Sequence, residues 1–80
     1  MELTIISPTQ KKTLSIAWLE INTMVGNFVI QPGHASTVLV LEPQQAITYC
    51  LDSGKQESSV IPSGIVEITP DSATIVMHGN

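Results

Sequence analysis

The clearest structural signal in the chain is the stretch 45–61, QAITYCLDSGKQESSVI. Side chains alternate along Gln45–Leu51 with the period of a β-strand that buries one face. Residues 52–55 then bring together residue types of a tight turn, in which Gly54 is suited to a positive φ. Because the chain returns as a second β-prone run at Gln56–Ile61, these residues predict an antiparallel hairpin.

The rest of the chain repeats this pattern of short β-branched runs between turn residues. Prolines stand at positions 8, 32, 43, 62 and 70, and glycines at 26, 33, 54, 64 and 79. The predicted strands are residues 3–6, 13–23, 27–30, 37–41, 45–51, 56–61, 65–68 and 72–77. Many short strands joined by turns, with no clear helix, predict an all-β fold, either a sandwich or a barrel.

Residues 13–23 leave the choice between strand and helix open. Leu14, Ile16 and Trp18 alternate as in a strand, whereas Leu14, Trp18 and Ile21 also have helical spacing. Frequent isoleucine and threonine, and the lack of a capping box, favour a strand with a bulge near Trp18. Apolar neighbours place Trp18 in the core by expectation.

Two further expectations concern burial. The run TVLVL at 37–41 has few polar interruptions, which predicts a strand covered on both faces. Cys50 lies in an alternating strand, so we expect a small buried hydrophobic residue rather than a nucleophile.

Size and charge exclude several classes of protein. With 80 residues and 8.6 kDa, the chain forms a single domain over 1–80. Its net charge is -4, its pI is 4.7, and only three residues are Lys or Arg. This balance argues against binding to nucleic acid or to an anionic membrane surface. Charged residues make up only 12%, so much of the surface is neutral and suited to a covering partner.

The sequence also bears on targeting and on the redox compartment. No apolar run approaches the ~20 residues of a membrane span, and the N-terminus lacks the basic region of a secretory signal. The single cysteine cannot form an internal disulfide, which is typical of a reducing compartment.

The chemistry-bearing residues are sparse. His34, His78 and Cys50 lack metal-ligand spacing, no nucleophile elbow or phosphate loop is present, and the acidic residues are scattered. We therefore expect no catalytic residue, metal or cofactor. His34 follows Gly33 in a turn, where it either braces its own loop or contacts a partner. Phe28 stands at a loop edge and is a candidate partner anchor.

Three stretches resemble one known family. Residues 26–35, GNFVIQPGHA, resemble the G-x-x-G-(Ile/Leu)-x-P-x-H-A signature of the ε subunit of F-type ATP synthase. Residues 62–68, PSGIVEI, resemble its S-G-G segment, and residues 3–8, LTIISP, resemble its start. The resemblance spans nearly the whole chain.

The resemblance implies a flattened β-sandwich of about eight to ten short, mostly antiparallel strands. It also implies a non-catalytic rotor subunit of the central stalk, which links the γ subunit to the polar loops of the membrane c-ring. Such a subunit couples proton or sodium transport to ATP synthesis, without inserting into the membrane. It would be peripheral, on the cytoplasmic side of the inner (plasma) membrane or its organellar equivalent, and a monomer outside the complex.

Carried over by position, the resemblance implies five contact residues. Asn27 and Phe28 match the family segment near the c-ring, and Ser7 and His34 match positions close to γ. Gln31, within the same signature, completes the set. The chain departs from the family at three positions: Asn27 for a frequent acid, Val29 for the second glycine and Ser36 for a proline.

Typical members continue into a C-terminal helical hairpin that inhibits ATP hydrolysis. If Asn80 is the natural end, the resemblance implies a short form that assembles and couples without that regulation. One alternative is an orphan β-sandwich that binds another partner. The other is a cupin-like metal-binding or sugar-binding barrel, suggested by Gly33-His34 and Pro62-x-Gly64. Against the cupin, Glu67 stands where a histidine is expected.

Overall fold

The computed structural model describes residues 1–23, 26–41 and 45–78. In this part of the chain there are eight β-strands and no helix, so no helix could cross a membrane. The strands are β1 (Glu2–Ile6), β2 (Lys11–Thr23), β3 (Gly26–Ile30), β4 (Thr37–Leu41), β5 (Gln45–Leu51), β6 (Gln56–Ile61), β7 (Gly64–Thr69) and β8 (Ser72–Met77). The all-β prediction is confirmed.

The strands form two sheets that share the long strand β2. The first sheet has the order β4–β7–β8–β1 and ends on the N-terminal half of β2. The second has the order β3–β2–β5–β6 and uses the C-terminal half of β2. All pairs are antiparallel except β1 with β8. This arrangement is a mostly antiparallel sandwich, as predicted.

A bulge in β2 lets one strand serve both sheets. The register with β5 shifts between Ile16 and Trp18. The extra residue changes the parity of the strand, so Ile16 before the shift and Leu19 and Ile21 after it are all fully buried. The predicted bulge near Trp18 is therefore confirmed, and the helical alternative is wrong.

The expectation that Trp18 belongs to the core is wrong. Trp18 is half-buried and lies outside the core cluster. The change of parity that turns Leu19 inward places Trp18 on the outer face of the second sheet, opposite Cys50 of β5. Cys50 itself is buried, as predicted.

The core fills the space between the two sheets with aliphatic side chains and one tyrosine. It comprises Leu3, Ile16, Leu19, Ile21, Ile30, Leu41, Ile47, Tyr49, Ile61, Val66, Ile68, Ala73 and Ile75. The Tyr49 ring packs in this cluster, and its partly buried hydroxyl donates a hydrogen bond to Glu57 Oε1 at 3.1 Å. Burial is the larger cause and this hydrogen bond the smaller one that together raise the pKa of Tyr49 above its ordinary value.

The expectation that β4 is covered on both faces is also wrong. Leu41 is buried and Leu39 packs against the core, whereas Val38 and Val40 on the opposite face are 59% and 70% exposed. Because β4 is the edge strand of the first sheet, the second sheet covers only its inner face. An apolar run indicates a strand, but it does not determine how many of its faces are buried.

The hairpin between β5 and β6 has the predicted turn. Gly54 has a φ of +96°, and its N–H donates to the carbonyl of Leu51 at 2.8 Å. The N–H of Leu51 in turn donates to the carbonyl of Lys55, also at 2.8 Å. These bonds fix the register of β5 with β6.

Candidate partner-binding cleft

The loop between β3 and β4 is held in place by backbone hydrogen bonds. The N–H of His34 donates to the carbonyl of Gln31 at 3.1 Å, which closes a turn around Gly33. Gly33 has a φ of +88°, and its N–H donates to the carbonyl of Pro70 at 2.6 Å. The loop is therefore tied to the β7–β8 turn rather than free to move alone.

The His34 side chain braces the same loop. Its Nδ1 lies 2.7 Å from the carbonyl oxygen of Ala35, so a proton on Nδ1 donates to that oxygen. In the neutral ring this tautomer leaves Nε2 as an acceptor. The predicted bracing role is confirmed, and the half-buried ring keeps a polar atom suited to contact with a partner.

A cleft of about 340 Å³ opens between the edges of the two sheets, beside this loop. Its lining is mostly apolar: Phe28, Ile30, His34, Ala35, Ser36, Thr37, Leu39 and Ile68. Phe28 is 38% exposed, whereas Ile30 and Ile68 are buried at the base. A concave apolar site with one imidazole among its lining side chains is suited to holding an apolar side chain of another molecule.

Asn27 belongs to the hairpin that leads into the cleft. Its Nδ2 donates to Oδ1 of Asn22 at 2.6 Å across β2 and β3. The Thr23 hydroxyl donates to the carbonyl of Gly26 at 2.9 Å in the same hairpin. These bonds hold the hairpin in which the exposed, uncharged Asn27 precedes Phe28.

Ser7 lies at a different end of the sandwich. It forms the β1–β2 turn, where its N–H donates to the carbonyl of Gln10 at 2.8 Å and its Oγ accepts from the N–H of Gln10 at 3.0 Å. The turn follows Ile6, which pairs with Val76 near the end of β8. The cleft loop instead enters β4 at Thr37, toward the opposite end of the first sheet.

The structure thus brings together part of the predicted contact set. Phe28 and His34 line one cleft, Gln31 closes the turn beside it, and Asn27 precedes Phe28. Ser7 does not line the cleft. The apolar base of the cleft, which includes Leu39 and Ile68, was not foreseen, because the sequence does not reveal that β4 pairs with β7.

Metal-ligating side chains do not cluster in the described part of the chain. Among residues 1–23, 26–41 and 45–78, no group of three or more His, Cys, Asp or Glu side chains is placed to hold a metal ion. In the same ranges, no buried side-chain nitrogen or oxygen lacks a hydrogen-bond partner. The lining of the cleft offers shape and apolar surface for binding.

Comparison with known proteins identifies the family. Residues 1–79 match the family model described as the ATP synthase, Delta/Epsilon chain, beta-sandwich domain. No curated protein sequence matches the chain significantly.

Two solved structures have the same fold. One is a chain of the Euglena gracilis mitochondrial ATP synthase (OSCP/F1/c-ring in rotational state 1), with a TM-score of 0.84 and 24% identity. The match covers 96% of this chain and 49% of that one. The other is a chain of the central stalk and c-ring of the Tetrahymena thermophila mitochondrial ATP synthase, with a TM-score of 0.80 and 16% identity. It covers 99% of this chain and 63% of that one. Because the family model spans nearly every residue, the chain belongs to the family of ATP synthase delta/epsilon β-sandwich domains.

Proposed function

We propose that the protein is a non-catalytic central-stalk subunit of an F-type ATP synthase. It links the γ subunit to the c-ring and so helps to couple proton or sodium transport to ATP synthesis. The observation that carries this proposal is the family match over residues 1–79. The members of that family are domains of the ATP synthase delta/epsilon chain, which is a non-catalytic subunit. Because the match covers residues 1–79, it also argues against the alternative hypothesis of a cupin-like barrel.

The sandwich has physical properties that suit a torque-bearing adaptor. Two sheets share one bulged strand, and the core between them is continuous, so a force applied at one loop is transmitted through packed side chains. The loop that carries His34 is tied by hydrogen bonds to the β7–β8 turn. Rigid, hydrogen-bonded contact loops are what a mechanical coupling between two partners requires.

The γ contact that we propose extends along the first sheet. Ser7 and His34, the two positions expected near γ, lie toward opposite ends of this sheet. A single partner that contacts both must therefore extend along the length of this sheet. On its outer face, near the end that carries Ser7, Val40, Ile65 and Val76 are cross-strand neighbours and are 70%, 39% and 39% exposed. An exposed apolar row of this kind supports a protein interface along this face.

The c-ring contact that we propose is the β2–β3 hairpin. Asn27 and Phe28 lie there, next to Gln31 along the chain, and none of these side chains is charged. The contact made by these three side chains therefore relies on hydrogen bonds and on one aromatic ring. Outside the complex we expect a monomer. Inside it, the subunit is peripheral, on the cytoplasmic side of the inner (plasma) membrane or its organellar equivalent.

Binding of purified γ from the same source tests the proposal. We expect the wild-type chain to bind γ, and His34→Ala to bind it less tightly by about 1–2 kcal/mol, the scale of an ordinary interface contact. Ser59→Ala on the exposed strand β6 provides a surface control that leaves the affinity unchanged. If the folded wild-type chain fails to bind γ, the protein is a sandwich of this family with a different partner.

A further inference from the structure

Strand β4 is an unprotected sheet edge. Among the described strands it pairs only with β7, so one side of its backbone has no strand partner. Natural edge strands usually carry a charge, a proline or a bulge that prevents pairing with other chains. Thr37–Leu41, with the sequence TVLVL, has none of these. The edge strand β6 is different, because it carries Glu57 among polar residues.

The apolar cleft borders this same edge. Leu39 faces the cleft, whereas its neighbours Val38 and Val40 face outward. Successive side chains of a strand added along β4 would alternate in the same way. Inward side chains would enter the cleft beside Phe28 and Ile68, and outward ones would cover the two valines. Backbone hydrogen bonds combined with pockets for alternate side chains are the features of strand addition.

The charge near the edge indicates what the added strand should carry. Glu67 of β7 is exposed and pairs in register with Val38. Within residues 1–23, 26–41 and 45–78, the ion pair formed is that of Lys55 with Glu57, and Glu67 takes part in none. A residue opposite Val38 on an added strand would lie two strand spacings from Glu67, about 10 Å. An extended Lys or Arg side chain covers much of that distance, and the Glu67 side chain covers the rest.

We propose that the free edge of β4 binds an extended strand from a partner protein. The strand has apolar side chains facing the cleft, and an outward Lys or Arg that pairs with Glu67. This inference stands on the edge, the cleft and the charge alone, and it does not require assembly into an ATP synthase.

A synthetic peptide tests the inference on the isolated chain. The probe is a short capped peptide in which leucines alternate with lysine and valine, and its control has the same composition with adjacent leucines. In amide NMR spectra of the labelled protein, we expect the probe to shift the signals of β4, Phe28 and Ile68, and to slow hydrogen exchange along β4. The control peptide should leave these signals unchanged. Shifts confined to β6 or scattered over the surface would overturn the proposal.

Matched variants make the result specific. Val38 and Val60 are both 59% exposed, and each lies on an edge strand, β4 in the first sheet and β6 in the second. Val38→Lys should weaken probe binding at least about tenfold, whereas Val60→Lys should not change it. Glu67→Gln should remove most of the salt dependence of binding. Equal binding by the two lysine variants would refute the proposal. Self-association of the wild-type chain that Val38→Lys abolishes would also refute it, because the occupant would then be a second copy.

Discussion

Replacing Gly64 by alanine should strain the junction of three strands. Gly64 is buried at the start of β7, where it pairs with Leu41 of β4 on one side and with Met77 of β8 on the other. A Cβ built at this position would lie 3.1 Å from the carbonyl carbon of Val76 and 3.2 Å from the Cα of Met77, and closer still to the Val76 oxygen. All three atoms are backbone, so no side chain can rotate away to relieve the contact.

The size of the effect follows from two opposing contributions. Overpacking a close-packed site costs about 1–3 kcal/mol, and a backbone neighbour puts this case toward the upper end. Replacing glycine by alanine restricts the unfolded chain, which offsets about 0.4–1 kcal/mol. The net loss is about 2 kcal/mol. At roughly 4–8 °C per kcal/mol for a domain of this size, Tm should fall by roughly 8–16 °C. The loss is a substantial part of the roughly 4–12 kcal/mol of stability expected for a domain of this length.

Denaturant unfolding followed by fluorescence measures this loss directly, because Trp18 is the single tryptophan. Gly54→Ala is the matched control: its φ is +96°, but an added Cβ meets nothing within 4 Å. We expect that control to lose about 1 kcal/mol from backbone strain alone. If Gly64→Ala is no less stable than Gly54→Ala, the close packing of β7 against β8 described here is incorrect.

Three further changes test other parts of the structure. Trp18→Ala should lower the free energy of unfolding by less than about 2 kcal/mol, below the ~3–5 kcal/mol lost with a core aromatic residue, because Trp18 is half-buried outside the core cluster. If circular dichroism shows that the variant is unfolded, Trp18 is a core residue after all. Phe28→Ala should lower stability by no more than about 1.5 kcal/mol, since its ring is 38% exposed, yet it should weaken binding to the c-ring in a reconstitution assay. A large loss of stability would instead make Phe28 a core residue. The absorbance of the single tyrosine should titrate with a midpoint above 10.0, because burial and the bond to Glu57 raise the pKa of Tyr49. Above pH 10.0 the folded state then holds the proton more tightly than the unfolded state, so the free energy of unfolding falls as pH rises, and Tyr49→Phe should lack this fall. A midpoint at or below 10.0 would contradict the partial burial of the hydroxyl and its bond to Glu57.

Local sequence signals predicted the strands well. The bounds of β4, β5, β6 and β8 match the structure, because turn residues flank each of these runs. The bulge in β2 was visible as a change of parity between Ile16 and Ile21. Which face Trp18 would occupy was not visible, since that depends on where within the bulge the extra residue lies.

The site was harder to predict because it depends on the order of strands. Phe28 and His34 were identified from their loop, but the apolar base of their cleft comes from β4 and β7, which are distant in sequence. Likewise, the exposure of Val38 and Val40 follows from the edge position of β4, which its composition does not reveal. The separation of Ser7 from His34 also required the full topology.

Purification of the ATP synthase from native membranes of the source organism tests the central claim most directly. If the chain is a central-stalk subunit, it should co-purify with the α, β and γ subunits after mild detergent extraction and remain bound through size-exclusion chromatography. An intact synthase that contains α, β and γ but lacks this chain, while the chain elutes separately, would contradict the account.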